Sequence, residues 1–335
     1  MHAFRPLCRS LCITLAIGLP LATLPLTGCG VEYTSTASNA TQDAVLTTFY
    51  PTQYFAERIS GGLVAVESPL PNDEDPIFWR PDADTIAQFQ SAKLIITNGA
   101  EFEKWVAGAA LPRGRTVESI SSEALARVGG PITMETTTHS HGPAGEHTHE
   151  GIDGHTWVSP ELAIVQAERI AEAMSTAWPA HASKFEENLA LLVEELEMLS
   201  ASLSGLTPQL TEYRLFASHP AYNYLARELR WDVHNLDLDP ENTDTQMIVD
   251  AVHDAMHHHE EGQHDHEHDH GHSHGDNPVI LLWEGEPTPA IVEALKTELG
   301  VTSVLFSPAE TAPEAGDYMD EMRANFERLR QAVGG

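Results

Sequence analysis

Short apolar runs alternate with short helical stretches twice along this chain, once on each side of a long amphipathic helix. That rhythm restricts the fold more than any other feature of the sequence. Residues 44–50 (AVLTTFY) form a β-rich run, 54–59 read as a helix ending at Gly61-Gly62, and 63–68 as a second strand; 82–90 read as a helix and 93–98 as a third strand. Strands separated by helices return in parallel, so these segments predict a parallel sheet with helices on its faces. Residues 184–203 (KFEENLALLVEELEMLSASL) then place Leu189, Leu192, Val193, Leu196 and Leu199 on one stripe. At about 1.5 Å per residue this helix is roughly 30 Å long. It is either a strut between two lobes or a helix buried in one larger domain. The alternation then resumes, with strands at 214–218, 231–236, 279–283 and 303–306 and helices at 222–229, from 246, at 290–299 and at 317–332.

Open parallel sheets bind ligands beyond the carboxyl ends of their strands. His219 stands at such an end, Glu284 closes a strand that reads as buried, and the acidic loop 69–76 and Asn98-Gly99 fall in the corresponding place of the first block. The chain of 335 residues exceeds one typical core and fits about two domains. It carries 18 Lys and Arg against 50 Asp and Glu, a formal charge of −32. Phosphate binding needs a basic face, so nucleic acid is excluded as a partner, whereas an acidic surface attracts cations.

The three cysteines are Cys8, Cys12 and Cys29, so the body of the chain has neither a disulfide nor a thiolate metal site. Arg5 and Arg9 precede an apolar stretch, residues 11–26, that is too short and too interrupted by proline for a membrane span. It reads as a secretory signal over residues 1–28. Leu26-Thr27-Gly28-Cys29 resembles a lipobox, which predicts a lipid anchor on Cys29, a tether over 29–42, and a soluble domain held at an extracytoplasmic membrane face.

Histidine is concentrated in two places. The loop at 139–155 carries His139, His141, His147 and His149 among Gly, Pro, Thr and Ser, and closes on His155, which is pinned between Asp153-Gly154 and Trp157-Val158-Ser159-Pro160. The insertion at 253–276 carries His253, His257, His258, His259, His264, His266, His268, His270, His272 and His274, interleaved with acidic residues. Imidazole is a common ligand of Zn²⁺. The expected division of labour is weak metal capture by the flexible histidines, which are too polar to build a core, and tight binding by His155 and His219. The alternative for His155 is a histidine capping the helix that follows.

Four segments resemble the solute-binding lipoproteins of zinc and manganese ABC importers, of the zinc-uptake type. They are KLIITNGAEFEKW (93–105), DGHTWVSP (153–160), FASHPAYNYL (216–225) and GDYM (316–319). The resemblance runs from about residue 44 to the C-terminus and implies two Rossmann-like α/β lobes joined by a long helix, with the metal in the cleft between them. The lobes would be residues 43–160 and 206–335, linked by helices over 161–205. It implies His155 and His219 as ligands, with Asp317 as a further ligand or else a helix N-cap. The family's usual first ligand is a histidine after Asp-Pro; here Asp75-Pro76 is followed by Ile77, so either Asp75 or Glu74 is a substitute donor or the site is completed by Asp317 or water, with Asp75 otherwise a turn residue. The resemblance implies a monomeric extracytoplasmic receptor that delivers Zn²⁺ to an ABC importer permease. Mn²⁺ is the weaker candidate because His219 stands where a glutamate would suit it better. The alternatives are a zinc buffer without a permease, and a metal-dependent hydrolase with Glu284 as base, which would lack a His-Glu-x-x-His signature.

Overall fold

The computed structural model describes residues 43–72, 74–140, 146–240, 242–261 and 277–334. Cys29, the signal and tether segments, His141 and His264, His266, His268, His270, His272 and His274 lie outside the described residues. No helix among the described residues is long and apolar enough to cross a membrane.

Two four-stranded parallel sheets carry the fold. The first contains β1 (Val45–Thr47), β2 (Val66–Glu67), β3 (Leu94–Gly99) and β4 (Thr116–Ile120) in the order β2-β1-β3-β4. The second contains β7 (Arg214–Ala217), β8 (Val233–Asn235), β9 (Val279–Trp283) and β10 (Thr302–Leu305), which, taken from its opposite edge, runs β8-β7-β9-β10. The two sheets therefore share one topology, in which the order reverses between the first and third strands of each half. Every residue of β1, β3 and β9 is buried. Helices cover both faces of such strands, which is why they read as unbroken apolar runs and not as alternating ones.

The helices that position the site are α1 (Tyr50–Ser60), α2 (Ala83–Ser91), α3 (Ser122–Arg127), α4 (Pro160–Ala177), α5 (Ala182–Ser204), α6 (Asn223–Leu229), α7 (Thr245–Glu261), α8 (Pro289–Ala294) and α9 (Tyr318–Gly334). Helix α1 begins four residues earlier than the sequence pattern implies. Pro51 sits in its first turn, where its missing N–H leaves no hydrogen bond unmade. Helix α4 is started by Ser159, whose side chain accepts from the Leu162 amide, with Pro160 at its head. Helix α5 buries Phe185, Leu192, Leu196, Leu199 and Leu203, spaced by seven, four, three and four residues, against α4 and α1. One continuous apolar core joins residues from both sheets with α5, from Val45 and Ile96 to Leu215 and Ile280.

The described parts of both histidine tracts are more regular than their composition implies. Residues flanking 141–145 pair as an antiparallel hairpin of β5 (Thr133–Ser140) and β6 (Glu146–Ile152), with His139 opposite His147 and Thr137 opposite His149. The loop expected at 139–155 is thus largely a strand ladder, because the Thr-rich flanks favour extended pairing. In the second tract, α7 runs through His253 and His257–259 to Glu261. The apolar face of its first turns, with Ile248, Val249 and Val252 buried, nucleates a helix that continues into the polar sequence.

Candidate metal centre

His155 lies in the turn between β6 and α4, on a backbone shaped by Asp153 and Gly154. Its amide donates to Asp153 Oδ1 at 2.9 Å, an Asx-type turn. A side chain at Gly154 would come within 2.7 Å of the Phe102 ring, so glycine is required there. Asn98, at the carboxyl end of β3, donates from Nδ2 to the Gly154 carbonyl at 2.8 Å and accepts from Gln166 Nε2 at 2.8 Å. Its own backbone amide donates to Glu103 Oε1 at 2.6 Å. Burial pushes the Glu103 carboxyl up, against hydrogen bonds from the Thr48 hydroxyl and the Asn98 amide. This buried network makes the first lobe a rigid seat for the histidine.

The His155 ring is only 1% exposed and packs against both Phe102 and Trp157, with ring centroids 5.9 and 5.3 Å away. Nδ1 meets Asp153 Oδ1 at 2.8 Å, so the proton on that nitrogen is held by the carboxylate and Nε2 faces the cleft. A carboxylate behind one imidazole nitrogen, fixing the tautomer and aiming the other, is the usual support of a metal-bound histidine. Nε2 lies 3.0 Å from Glu310 Oε1, yet the contact lacks the angles of a hydrogen bond. We therefore read it as an ion pair that leaves the nitrogen's directional bonding unsatisfied. Burial opposes a charge on His155, but the hydrogen bond to Asp153 and the close Glu310 carboxylate prevail and push its pKa up to about 10.

From the second lobe, His219 follows β7 and Glu284 follows β9, the two strands between which the order reverses. His219 is 4% exposed and its ring centroid lies 5.5 Å from that of His155, at an interplanar angle of 80°. Two imidazoles on one tetrahedral ion, with metal–nitrogen bonds of about 2.0–2.1 Å, stand with centroids roughly 5 Å apart. The observed spacing fits that arrangement. His219 Nδ1 lies 3.8 Å from Glu284 Oε2. Burial drives the Glu284 pKa up to about 8, reinforced by the negative charges of Glu310, Asp75 and Asp239 and opposed by His155.

Glu310 stands just beyond β10, on a loop held from both lobes. Trp157 donates its indole N–H to the Pro308 carbonyl at 2.7 Å, and Tyr222 donates to the Phe306 carbonyl at 2.7 Å. Ala309 takes φ +57°, a left-handed conformation costing a non-glycine residue roughly 1 kcal/mol, and this turn aims the next side chain at His155. A cleft lined by Tyr50, Gln53, Ser68, Leu70, Glu310 and Thr311 opens beside it. Glu310 is 24% exposed against 1% for His155, so the carboxylate lies on the solvent side.

The structure thus brings together His155, His219 and Glu284 of the expected residues, with Asp75 close enough for its charge to act on Glu284. Asp75 Oδ1 also accepts from the Ile77 amide at 2.8 Å, a turn-capping contact, and Ile77 itself is buried in the apolar core. Asp317 caps α9, accepting from the Asp320 amide at 3.0 Å, and its charge acts on Tyr50 and Tyr54. Among the described residues no three donors already converge on one point. The four nearest stand as two pairs, His155 with Glu310 and His219 with Glu284, each of which must part to admit an ion.

Two residues escaped the sequence reading. Glu310 follows a strand's carboxyl end, the same position that singled out His219, but it lies in a Pro- and Ala-rich loop without a motif of its own. Asp153 belonged to a recognised segment, and the Asp-Gly-His order was the signal of its role. Of the auxiliary histidines, His253 and His257 lie one turn apart on α7 with ring centroids 4.4 Å apart.

A sequence model of a family described as zinc-uptake complex component A, periplasmic (ZnuA), matches residues 45–260. The chain is 25% identical over 300 residues to the zinc-binding lipoprotein AdcA of Streptococcus pneumoniae, an alignment covering 86% of this chain and 55% of that protein. It therefore spans about half the length of that relative. Its fold is similar to the metal-dependent lipoprotein YcdH of Bacillus subtilis, with TM-score 0.66 and 21% identity over 86% of this chain and 98% of that one. The Zn(II)-bound ZnuA-like domain of S. pneumoniae AdcA is similar at TM-score 0.65 and 21% identity, over 88% and 99% of the two chains.

Proposed function

Given that the chain belongs to the ZnuA family of periplasmic zinc-uptake components, we propose that it is an extracytoplasmic receptor that captures Zn²⁺ in the interlobe cleft and delivers it to an ABC importer permease. The observation that carries this reading is the facing of His155 and His219, one from each lobe, at the centroid spacing of two imidazoles on one ion. Zn²⁺ is the cargo. His155 Nε2, His219, Glu284 and Glu310 are its proposed donors, and two nitrogens with two carboxylate oxygens suit a borderline cation better than a hard one. The lost first histidine is compensated from the second lobe, by Glu284. Asp75 supplies negative charge at the edge, and Asp317 is assigned to its helix cap.

The remaining assignments follow the same reading. A lipid on Cys29 would tether the protein to the membrane, and the histidines of the hairpin and of the 253–276 insertion would gather metal weakly and raise its concentration near the cleft. The chain works as a monomer and catalyses no reaction.

Zinc titration calorimetry under chelator competition tests the proposal, using the parent protein and the His155→Ala, His219→Ala double variant. One tight site is expected in the parent and none in the variant, with weak sites persisting in both. Equal tight binding by both would overturn the cleft site. Zinc-dependent hydrolysis of a phosphoester or peptide would favour the hydrolase alternative, and failure to bind the permease would leave a buffer.

A further inference from the structure

We infer that Asn223 is a positioning residue that couples the two halves of the metal site, holding the His155 imidazole in register through Asp153. This rests on the zinc-site reading above and adds a residue to it. Asn223 opens α6, four residues after His219 in the same turn of chain. Its Nδ2 donates to Asp153 Oδ2 at 2.9 Å and to the Pro220 carbonyl at 3.1 Å, and its Oδ1 accepts from Asn235 Nδ2 at 2.7 Å. Asp153 is fully buried, and its other oxygen is the one that takes both the His155 amide and His155 Nδ1.

A buried carboxylate must have its lone pairs occupied, and one left loose would swing towards whichever donor remained. Asn223 occupies the side of Asp153 that His155 does not. Only a neutral donor serves there, because a second carboxylate would repel Asp153 and a cation would compete with His155 for it. The amide is itself held at three points, to Asp153, the Pro220 carbonyl and Asn235. Since Pro220 adjoins His219 in sequence, the group that orients one proposed ligand is anchored on the segment that carries the other. The first lobe holds His155 independently, through Asn98 and the Gly154 carbonyl. Asn223 is the hydrogen-bonded link from the second lobe to the carboxylate behind His155.

The test uses the full chain with Asn223→Ala, Asn223→Asp, Asp153→Asn and the Asn223→Ala, Asp153→Asn double variant. The metal-free protein is observed by proton NMR, where the His155 Nδ1–H gives a downfield, exchange-protected signal identified by its loss in His155→Gln. Asn223→Ala should move that signal upfield and speed its exchange, and Asn223→Asp should do so more strongly. Zinc affinity in Asn223→Ala should fall roughly tenfold, the lower end of the effect of outer-shell partners on metal sites. In the Asp153→Asn background the same substitution should have little further effect, because the carboxylate it acts on is gone. An unchanged imidazole signal in folded Asn223→Ala, or an equal loss of affinity in both backgrounds, would overturn the inference. Parent zinc binding tests the zinc reading, whereas the metal-free imidazole signal tests Asn223 alone.

Discussion

Zinc binding at neutral pH should release close to two protons. His155, with a pKa near 10, is a cation in the metal-free cleft, and Glu284, near 8, is largely neutral. Both must lose a proton before they can donate to a metal. At pH 7 a group of pKa about 10 is essentially fully protonated and one of pKa about 8 is roughly nine-tenths protonated, which gives about 1.9 protons per ion. At pH 8 the count falls to about 1.5, and zinc affinity should rise about 50-fold across that unit. The assay is competition calorimetry in buffers of different ionisation heat, whose slope reads the proton count directly. Glu284→Gln should reduce the count at pH 7 to about one. A count below about 0.5 for the parent would show that His155 and Glu284 are not protonated partners displaced by zinc, and the donor assignment would fail.

The same groups set the stability of the metal-free protein. His155 and Glu284 both have folded-state pKa values above their unfolded ones, so the stability they contribute is complete below about pH 4.5 for Glu284 and 6.5 for His155. It is lost as pH rises through about 8 and 10; the melting temperature without metal should therefore fall between pH 6 and 9, and scanning calorimetry showing a rise would contradict this. Trp157→Phe removes the indole donor to Pro308 from a fully buried site, and urea unfolding should show a loss of about 1–3 kcal/mol. Glu195 bridges Arg58 of α1 and Arg323 of α9 at 2.5 and 3.0 Å, but these side chains are 27–49% exposed. Glu195→Ala should consequently cost less than about 1 kcal/mol in urea unfolding. Deleting residues 262–276 should remove some of the weak zinc sites while leaving the tight one, and a calorimetric titration in which the tight site also vanished would remove the distinction between cleft and tract.

The fold was legible because its signals are local. Buried parallel strands must be apolar on both faces, so β1, β3, β7 and β9 stand out as short hydrophobic runs, and the stripe of α5 repeats at helical spacing. Where local signals conflict, the reading missed. The β-rich run at 44–50 yields only the short strand β1, because Tyr50 and Pro51 already open a helix, and the described parts of the polar histidine tracts are carried into regular structure by the segments that adjoin them.

For the proposed site, the sequence by itself singled out the two imidazoles, since His155 and His219 each sit in a short constrained segment at the end of an element. It also determined that a chain so rich in carboxylates, with cysteine confined to residues 8–29, must bind any metal through nitrogen and oxygen. Which carboxylates face the histidines was decided only by the tertiary structure. Asp317 and Glu310 are both acids in one loop region, but a helix start claims the first, while a left-handed turn at Ala309 and the Trp157 hydrogen bond aim the second at His155. Asp153 and Asn223 are 70 residues apart and meet only because the two lobes close around one core. Ligand geometry is a matter of fractions of an ångström between distant segments, and no local pattern along a chain encodes that distance.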